Sequence, residues 1–136
     1  MEFKSQVCTT VEQSKRLLEL GLKRETADMT HCYEREEHDD KCFWNVSIDD
    51  WGSNQYITDN YIPAWSLARL IELMPFRIGK YDELGVIVNK ETIEIIDLEE
   101  GTVDLAFDKD NVYDNIIECI EWLIKKGEFN KELLAK

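Results

Sequence analysis

The amino-acid sequence predicts an α+β fold in which an antiparallel sheet packs against about three helices. Helical segments with recognisable caps, short segments that alternate apolar and polar residues, and hairpin-type turns between those segments lead to this prediction. The expected order along the chain is α-β-β-α-β-β-β-α. Because 136 residues with 43% hydrophobic composition suit one core, we expect a single α+β domain spanning residues 1–136.

The first helix is expected to begin after Thr10. Thr10 and Gln13 have the spacing of a capping box, in which each side chain bonds to the backbone N–H of the other residue. Leu18 lies on the apolar face, and Gly21 stands where a helix of this length ends.

Two strands are expected next, at Ala27–Glu34 and Cys42–Ile48. The second alternates Trp44, Val46 and Ile48, as a half-buried strand does. These strands predict a hairpin whose loop is the acidic run Glu34–Lys41.

The stretch Trp51–Tyr61 is expected to be a loop that leads into a second helix. Pro63 suits the first turn of that helix, where its missing N–H costs little, and Pro75 ends it. Trp65 and Leu73 point away from the main apolar face, which predicts a helix packed between layers or against a partner. That face consists of Ala64, Leu67, Ala68, Ile71 and Met74.

The following section is expected to be rich in strands. Leu84–Val88 is a short apolar run, and Thr92–Leu98 and Thr102–Phe107 flank a turn whose Gly101 suits positive φ. In the last strand the expected inward residues are Val103, Leu105 and Phe107, and the expected outward residues are Asp104 and Asp108.

A final helix is expected over Val112–Lys126. Asn111 or Asp110 can cap its start, and Gly127 stands where it would stop. Two lysines in its last turn complement the helix dipole.

The net charge of −13 is concentrated in two segments. Residues 29–63 hold eight acids and two bases, and residues 81–110 hold ten acids and two bases, so the segments carry −6 and −8. Strong acidity disfavours direct binding to nucleic-acid phosphates and to anionic membranes. If both segments lie in one sheet, they form one acidic surface, which either keeps the protein soluble or steers it toward a basic partner.

The cysteines Cys8, Cys32, Cys42 and Cys119 are scattered and form no CxxC pair. Free thiols in this arrangement are typical of a reducing compartment. With no apolar run of about 20 residues and no signal-peptide core, the sequence predicts a cytoplasmic protein that does not enter a membrane.

Four residues are weak candidates for a metal site: His31, Cys32, His38 and Cys42. All are competent zinc ligands, and a hairpin could bring Cys32 near Cys42 across its strands. Adjacent His31 and Cys32 point to opposite faces of a sheet, so at most three of the four converge. A plain surface hairpin is the alternative.

Since no nucleophile-elbow, phosphate-loop, dinucleotide or HExxH motif is present, the sequence identifies no catalytic residue and predicts no cofactor.

The tryptophans suggest a contact surface. Trp122 projects from the side of the last helix opposite its isoleucine face. With Trp65 it would form an interaction patch, because exposed aromatic residues mark interfaces, and self-association is the simplest use of such a patch. Alternatively, the later apolar residues Phe129, Leu133 and Leu134 fold back over Trp122.

Three stretches carry a resemblance to a known group of proteins. They are TVEQSKRLLELGL with TADM (residues 10–22 and 26–29), IPAWSLARLIELMP (62–75) and YDNIIECIEWLIKKG (113–127). In this order they resemble small uncharacterised proteins of prophages and conjugative elements in gut bacteria, over about a third of the chain. The resemblance implies an intracellular accessory protein of a mobile element and assigns no activity, cofactor or catalytic residue.

The leading interpretation is a non-enzymatic, acidic accessory protein that acts by protein–protein interaction with a basic protein or with itself. Its expected interaction residues are Glu99, Glu100, Asp104 and Asp108 for charge, with Trp122 and Trp65 as anchors. Three alternatives remain: an anti-defence protein that mimics nucleic acid, a small metal-dependent or hydrolytic enzyme using the His31 and His38 region, and a domain whose acidity serves only solubility.

Overall fold

The structure is a computed structural model that describes residues 6–35, 42–47 and 61–135, with the backbone alone described for 33–35 and 42–47. Short 3-10 turns lie at Arg24–Thr26 and Lys131–Leu133. The helices and strands in chain order are α1 (Val11–Glu19), β1 (Met29–Arg35), β2 (Cys42–Ser47), β3 (Tyr61–Ala64), α2 (Leu67–Leu73), β4 (Arg77–Ile78), β5 (Leu84–Val88), β6 (Ile93–Asp97), β7 (Val103–Phe107) and α3 (Val112–Lys126).

These elements form two compact units. The first unit is Met1–Arg69 with Leu133–Lys136, and the second unit is Leu70–Glu132. The first has an antiparallel sheet in the order β2-β1-β3, and the second has one in the order β4-β5-β6-β7. The α+β class and the expected element order are confirmed, and β3 and β4 are short additions to that order. The two acidic segments contribute to different sheets, so the condition for a single acidic sheet is not met.

In the first unit, α1 begins and ends as its caps predict. Gln13 N–H donates to the Thr10 hydroxyl, and the Gln13 side chain accepts from Thr10 N–H, which completes the capping box. Gly21 follows the helix with φ of +103°. After this turn the chain is latched to a late segment: Leu22 forms a bridge with Leu134, and Ala135 N–H donates to Gly21 O.

The predicted hairpin of β1 and β2 is confirmed, since these strands pair antiparallel from Thr30 with Ser47 to Arg35 with Cys42. Its loop, which contains His38, and residues 48–60 lie outside the described residues.

Pro63 lies in β3 and not in a helix, which corrects the sequence prediction. It pairs with Thr30 of β1 at the edge of the sheet. Two residues later, Trp65 N–H and C=O both bond to Thr9 and not to β1. Because backbone groups alternate in direction along a strand, the nitrogen of Pro63 also faces away from β1, where no ladder bond is lost.

Helix α2 is therefore shorter than expected. It begins at Leu67, after Ser66, whose hydroxyl accepts from Arg69 N–H as a cap does. Leu70 and Leu73 are its buried residues, while Ala68 is exposed. The expected apolar face included Ala64, which belongs to β3, so the residues that α2 buries differ from the predicted ones.

In the second unit, α3 packs on β6 and β7. Its bounds, its Asn111 cap and its left-handed Gly127 match the prediction. The core between helix and sheet contains Ile93, Ile95, Ile116, Ile117, Ile120 and Leu123.

Strand β7 carries a register shift that moves Val103 out of this core. Val103 pairs with Ile96, and Leu105 pairs with Ile95, so Asp104 is the extra residue of a β-bulge. Since Ile95 and Ile96 point to opposite faces, Val103 follows Ile96 outward and is 52% exposed. The prediction that Val103 faces inward is wrong, whereas Leu105 and Phe107 are half-buried.

Candidate functional site

Two of the candidate metal ligands, Cys32 and Cys42, are not opposite each other in the hairpin, and His38 lies outside the described residues. Cys32 is opposite Asn45 and Cys42 is opposite Arg35, so the two cysteines are offset by three residues, or about 10 Å along the strands. The expected cross-strand approach is therefore wrong. Over the ranges that the structure covers, no group of three His, Cys, Asp or Glu residues is placed to hold a metal ion.

His31 belongs to a buried polar network around Thr9. Its Nε2 lies 2.6 Å from Thr9 O, and Thr9 Oγ1 lies 2.7 Å from the Ser14 hydroxyl. Trp65 N–H donates to Thr9 Oγ1 over 3.1 Å. The imidazole thus ties the segment before α1 to the sheet, while Cys32, on the other face of β1 as predicted, is half-buried.

Trp65 is a core residue, which corrects its expected role as an exposed anchor. Its side chain is completely buried, and Nε1 donates to Thr26 Oγ1 over 2.9 Å. The expectation failed because it placed Trp65 on a helix, whereas the residue lies between the end of β3 and the start of α2.

The buried thiols are poor nucleophiles. Burial raises the pKa of Cys8 to about 11, with a further contribution from the charge of Asp28. Burial alone raises the pKa of Cys119 to about 12. Both side chains therefore stay protonated at neutral pH and pack as small apolar groups.

The acidic residues of the second unit form the most distinctive surface. Among the described residues, none of the ten carboxylates in 81–110 forms an ion pair. Lys109 is one of two bases in this segment, and its Nζ instead lies 2.6 Å from Oε1 of Glu118 in α3. The negative charge of the strands is thus left uncompensated.

All of these carboxylates except Glu94, which lies within β6, occupy the two ends of the sheet or the outer strand β7. At one end, Asp97 accepts from Glu99 N–H and Glu100 N–H, and Glu83 accepts from Tyr81 N–H. Asp82, Glu83, Asp97, Glu99 and Glu100 all lie at this end. Exposed Asp104 lies within β7, and exposed Asp108 follows it.

Large apolar side chains are exposed in the same unit. Phe76 is 79% exposed and Tyr81 is 80% exposed, and Ile87, Leu98 and Val103 add to this surface. A cavity of about 290 Å³ adjoins Phe76, with room for an apolar side chain. It is lined by Ile71, Met74, Pro75, Phe76, Val86, Ile87 and Val88.

Trp122 keeps part of its surface exposed, with Lys126 Nζ 5.9 Å from its ring centroid. Phe129, one of the residues expected to cover it, is buried. The contact role of Trp122 remains a prediction.

The buried amide of Asn115 and the outward orientation of the Val103 side chain were not predicted from the sequence. Asn115 could have been noticed as a polar residue four positions before Cys119, on the apolar face of a helix. The bulge at Asp104 has no local signal, because it depends on pairing with β6.

No helix among the described residues is long and apolar enough to cross a membrane. No protein-family model, curated protein or solved structure matches the chain, so a function has to be argued from its own residues.

Proposed function

We propose that this protein is a non-enzymatic accessory protein that binds a basic protein partner through its second unit. The observation that carries the proposal is the set of ten carboxylates without ion pairs, interspersed with exposed apolar side chains. Apolar contacts supply most of the affinity at an interface, and complementary charge supplies selectivity and speed of association.

Two features of the proposal come from the sequence. The scattered cysteines, which form no CxxC pair, favour action in the cytoplasm. The resemblance to proteins of prophages and conjugative elements favours an accessory role in a mobile element.

Affinity capture with charge-neutralised variants tests the proposal. The test variant carries Glu99→Gln, Glu100→Gln, Asp104→Asn and Asp108→Asn. A matched control neutralises the same number of exposed acids elsewhere, at Glu12, Glu19, Glu25 and Glu132. Each protein is used to capture proteins from a bacterial lysate at about 50 mM and about 300 mM NaCl, a range over which surface charges become screened.

We expect a basic protein to bind the wild type and the control, to be lost from the test variant, and to dissociate at the higher salt concentration. Equal capture by all three proteins, or capture insensitive to salt, would contradict the proposal. If duplex DNA competes for the same partner, the mimic of nucleic acid replaces the general accessory role.

A further inference from the structure

Strand β7 forms an open edge of the four-stranded sheet. It pairs with β6 on one side only. On its other side, no described residue bonds to the backbone of Val103–Phe107. Asp104 and Ala106 are exposed, and Val103 is half-exposed, so the edge is accessible.

The register identifies which backbone groups point outward. Leu98 N–H donates to Glu83 O, and Asn89 N–H donates to Thr92 O, so every second residue of β6 between Thr92 and Leu98 bonds to β5. Glu94 belongs to this set and is opposite Ala106. The N–H and C=O of Ala106 therefore point away from β6 and are available to another strand.

The charge of this edge selects its occupant. A bulge and a charged residue within an outer strand are devices that discourage pairing between identical edges. Here the bulge residue is Asp104, with Asp108 beyond the strand, so two copies of this edge would bring like charges together. A basic strand would instead place its lysines or arginines beside carboxylates that have no ion pair.

We propose that an extended, basic segment of another protein adds to this sheet as a fifth strand along β7. The inference rests on the proposed function and specifies its binding mode. Backbone hydrogen bonds to Ala106 supply affinity, and Asp104 and Asp108 select basic side chains. Alternate side chains of the added strand would lie next to Val103 on the outer face of the sheet.

The test uses a synthetic peptide of about six residues that alternates lysine and valine, the length of an average strand. Binding is measured at low and high salt concentrations for the wild type, Ala106→Pro and Ala106→Val. Proline removes the outward N–H without removing a bond to β6, whereas valine keeps the N–H. Circular dichroism checks that each variant is folded.

We expect Ala106→Pro to weaken binding by at least about tenfold, since it removes a hydrogen bond and places a ring in the path of the peptide. Ala106→Val is expected to bind within about twofold of the wild type. A peptide with every amide N-methylated keeps its charges but has no backbone N–H donors, and it should bind at least about tenfold more weakly to the unaltered protein. Hydrogen exchange at the Ala106 amide should slow when the unmodified peptide binds.

Three results would overturn the inference. If the peptide binds in a salt-sensitive way but Ala106→Pro and N-methylation have no effect, the edge is not the site, and the proposed function stands. If binding is insensitive both to salt and to the four charge-neutralising substitutions, the proposed function fails as well. If the Ala106 amide becomes protected as the concentration of protein alone rises, the edge is occupied by a second copy of the chain.

Discussion

Asn115 is a fully buried amide that connects α3 to two turns of the second unit. Its Oδ1 accepts from Lys109 N–H over 2.6 Å. Its Nδ2 donates to Glu91 O and Lys109 O over 3.1 and 2.9 Å. One side chain thus satisfies three backbone groups that would otherwise be unpaired, and it holds the chain on both sides of β6 and β7.

Replacing this amide is expected to be costly. Asn115→Ala leaves three backbone groups without their partner, so we expect the free energy of unfolding to fall by about 2–4 kcal/mol. Urea denaturation measures this change. Asn89→Ala is the control, because its side chain is exposed and its bond to Thr92 Oγ1 is 3.3 Å long; we expect it to cost less than about 0.5 kcal/mol. Equal effects of the two substitutions would contradict the role given to Asn115.

The raised pKa of Cys119 predicts a loss of stability in alkaline solution. The native state holds the thiol proton up to a pKa of about 12, while the unfolded state releases it near 9.0. This stabilisation is therefore fully present below pH 9.0 and declines as pH rises toward 12. Urea denaturation at several pH values measures it, and Cys119→Ala should show a shallower decline than the wild type. Parallel curves would indicate that the buried thiol does not contribute.

Single residues were predicted from the sequence only where their role was local. The capping residues Thr10 and Asn111 act within one turn of helix, so their side-chain type is informative. Trp65 and Asn115 are defined by partners far along the chain, Thr26 and Glu91. A short stretch of sequence around either residue does not include those partners.

Helices and strands, like single residues, were predicted where the signal lies within one continuous segment. The bounds of α3 were predicted because its apolar face and both caps lie within one continuous segment. β4 has only two residues, too few to show any alternation, and β3 contains a proline that also suits a helix start. The distribution of strands over two sheets depends on pairing between distant segments, which periodicity does not encode.

The bulge in β7 has a measurable consequence for Val103. Because this side chain is 52% exposed, Val103→Thr is expected to change the free energy of unfolding by less than about 0.5 kcal/mol. Ile95→Thr introduces a hydroxyl at a position that is 1% exposed, and we expect it to cost about 2–4 kcal/mol. Thermal or urea denaturation compares them. A large cost at Val103 would place it in the core and contradict the register shift.

At the scale of the whole molecule, the two units share one short helix. α2 has seven residues and passes from the first unit to the second between Arg69 and Leu70. A helix this short does not persist without tertiary packing. Because the boundary between the units lies within this helix, we expect the chain to unfold in one transition, as a single domain does.

Two probes weight the two units differently in this experiment. In Trp122→Phe the remaining tryptophans, Trp44, Trp51 and Trp65, belong to the first unit, so fluorescence reports on that unit alone. Circular dichroism reports on the helices of both units, since α1 has nine residues in the first unit and α3 has 15 in the second. Coincident midpoints in urea are expected; midpoints that differ would show two domains that unfold independently.

The β-bridge between Leu22 and Leu134 constrains the order in which the parts of the first unit can fold during synthesis. During synthesis the turn after α1 leaves the ribosome long before its partner segment does. The strands β4 to β7 and helix α3 are all encoded between the two. The contacts that close the first unit therefore depend on a segment made after the second unit, so the first unit can be completed only once Leu134 has been synthesised.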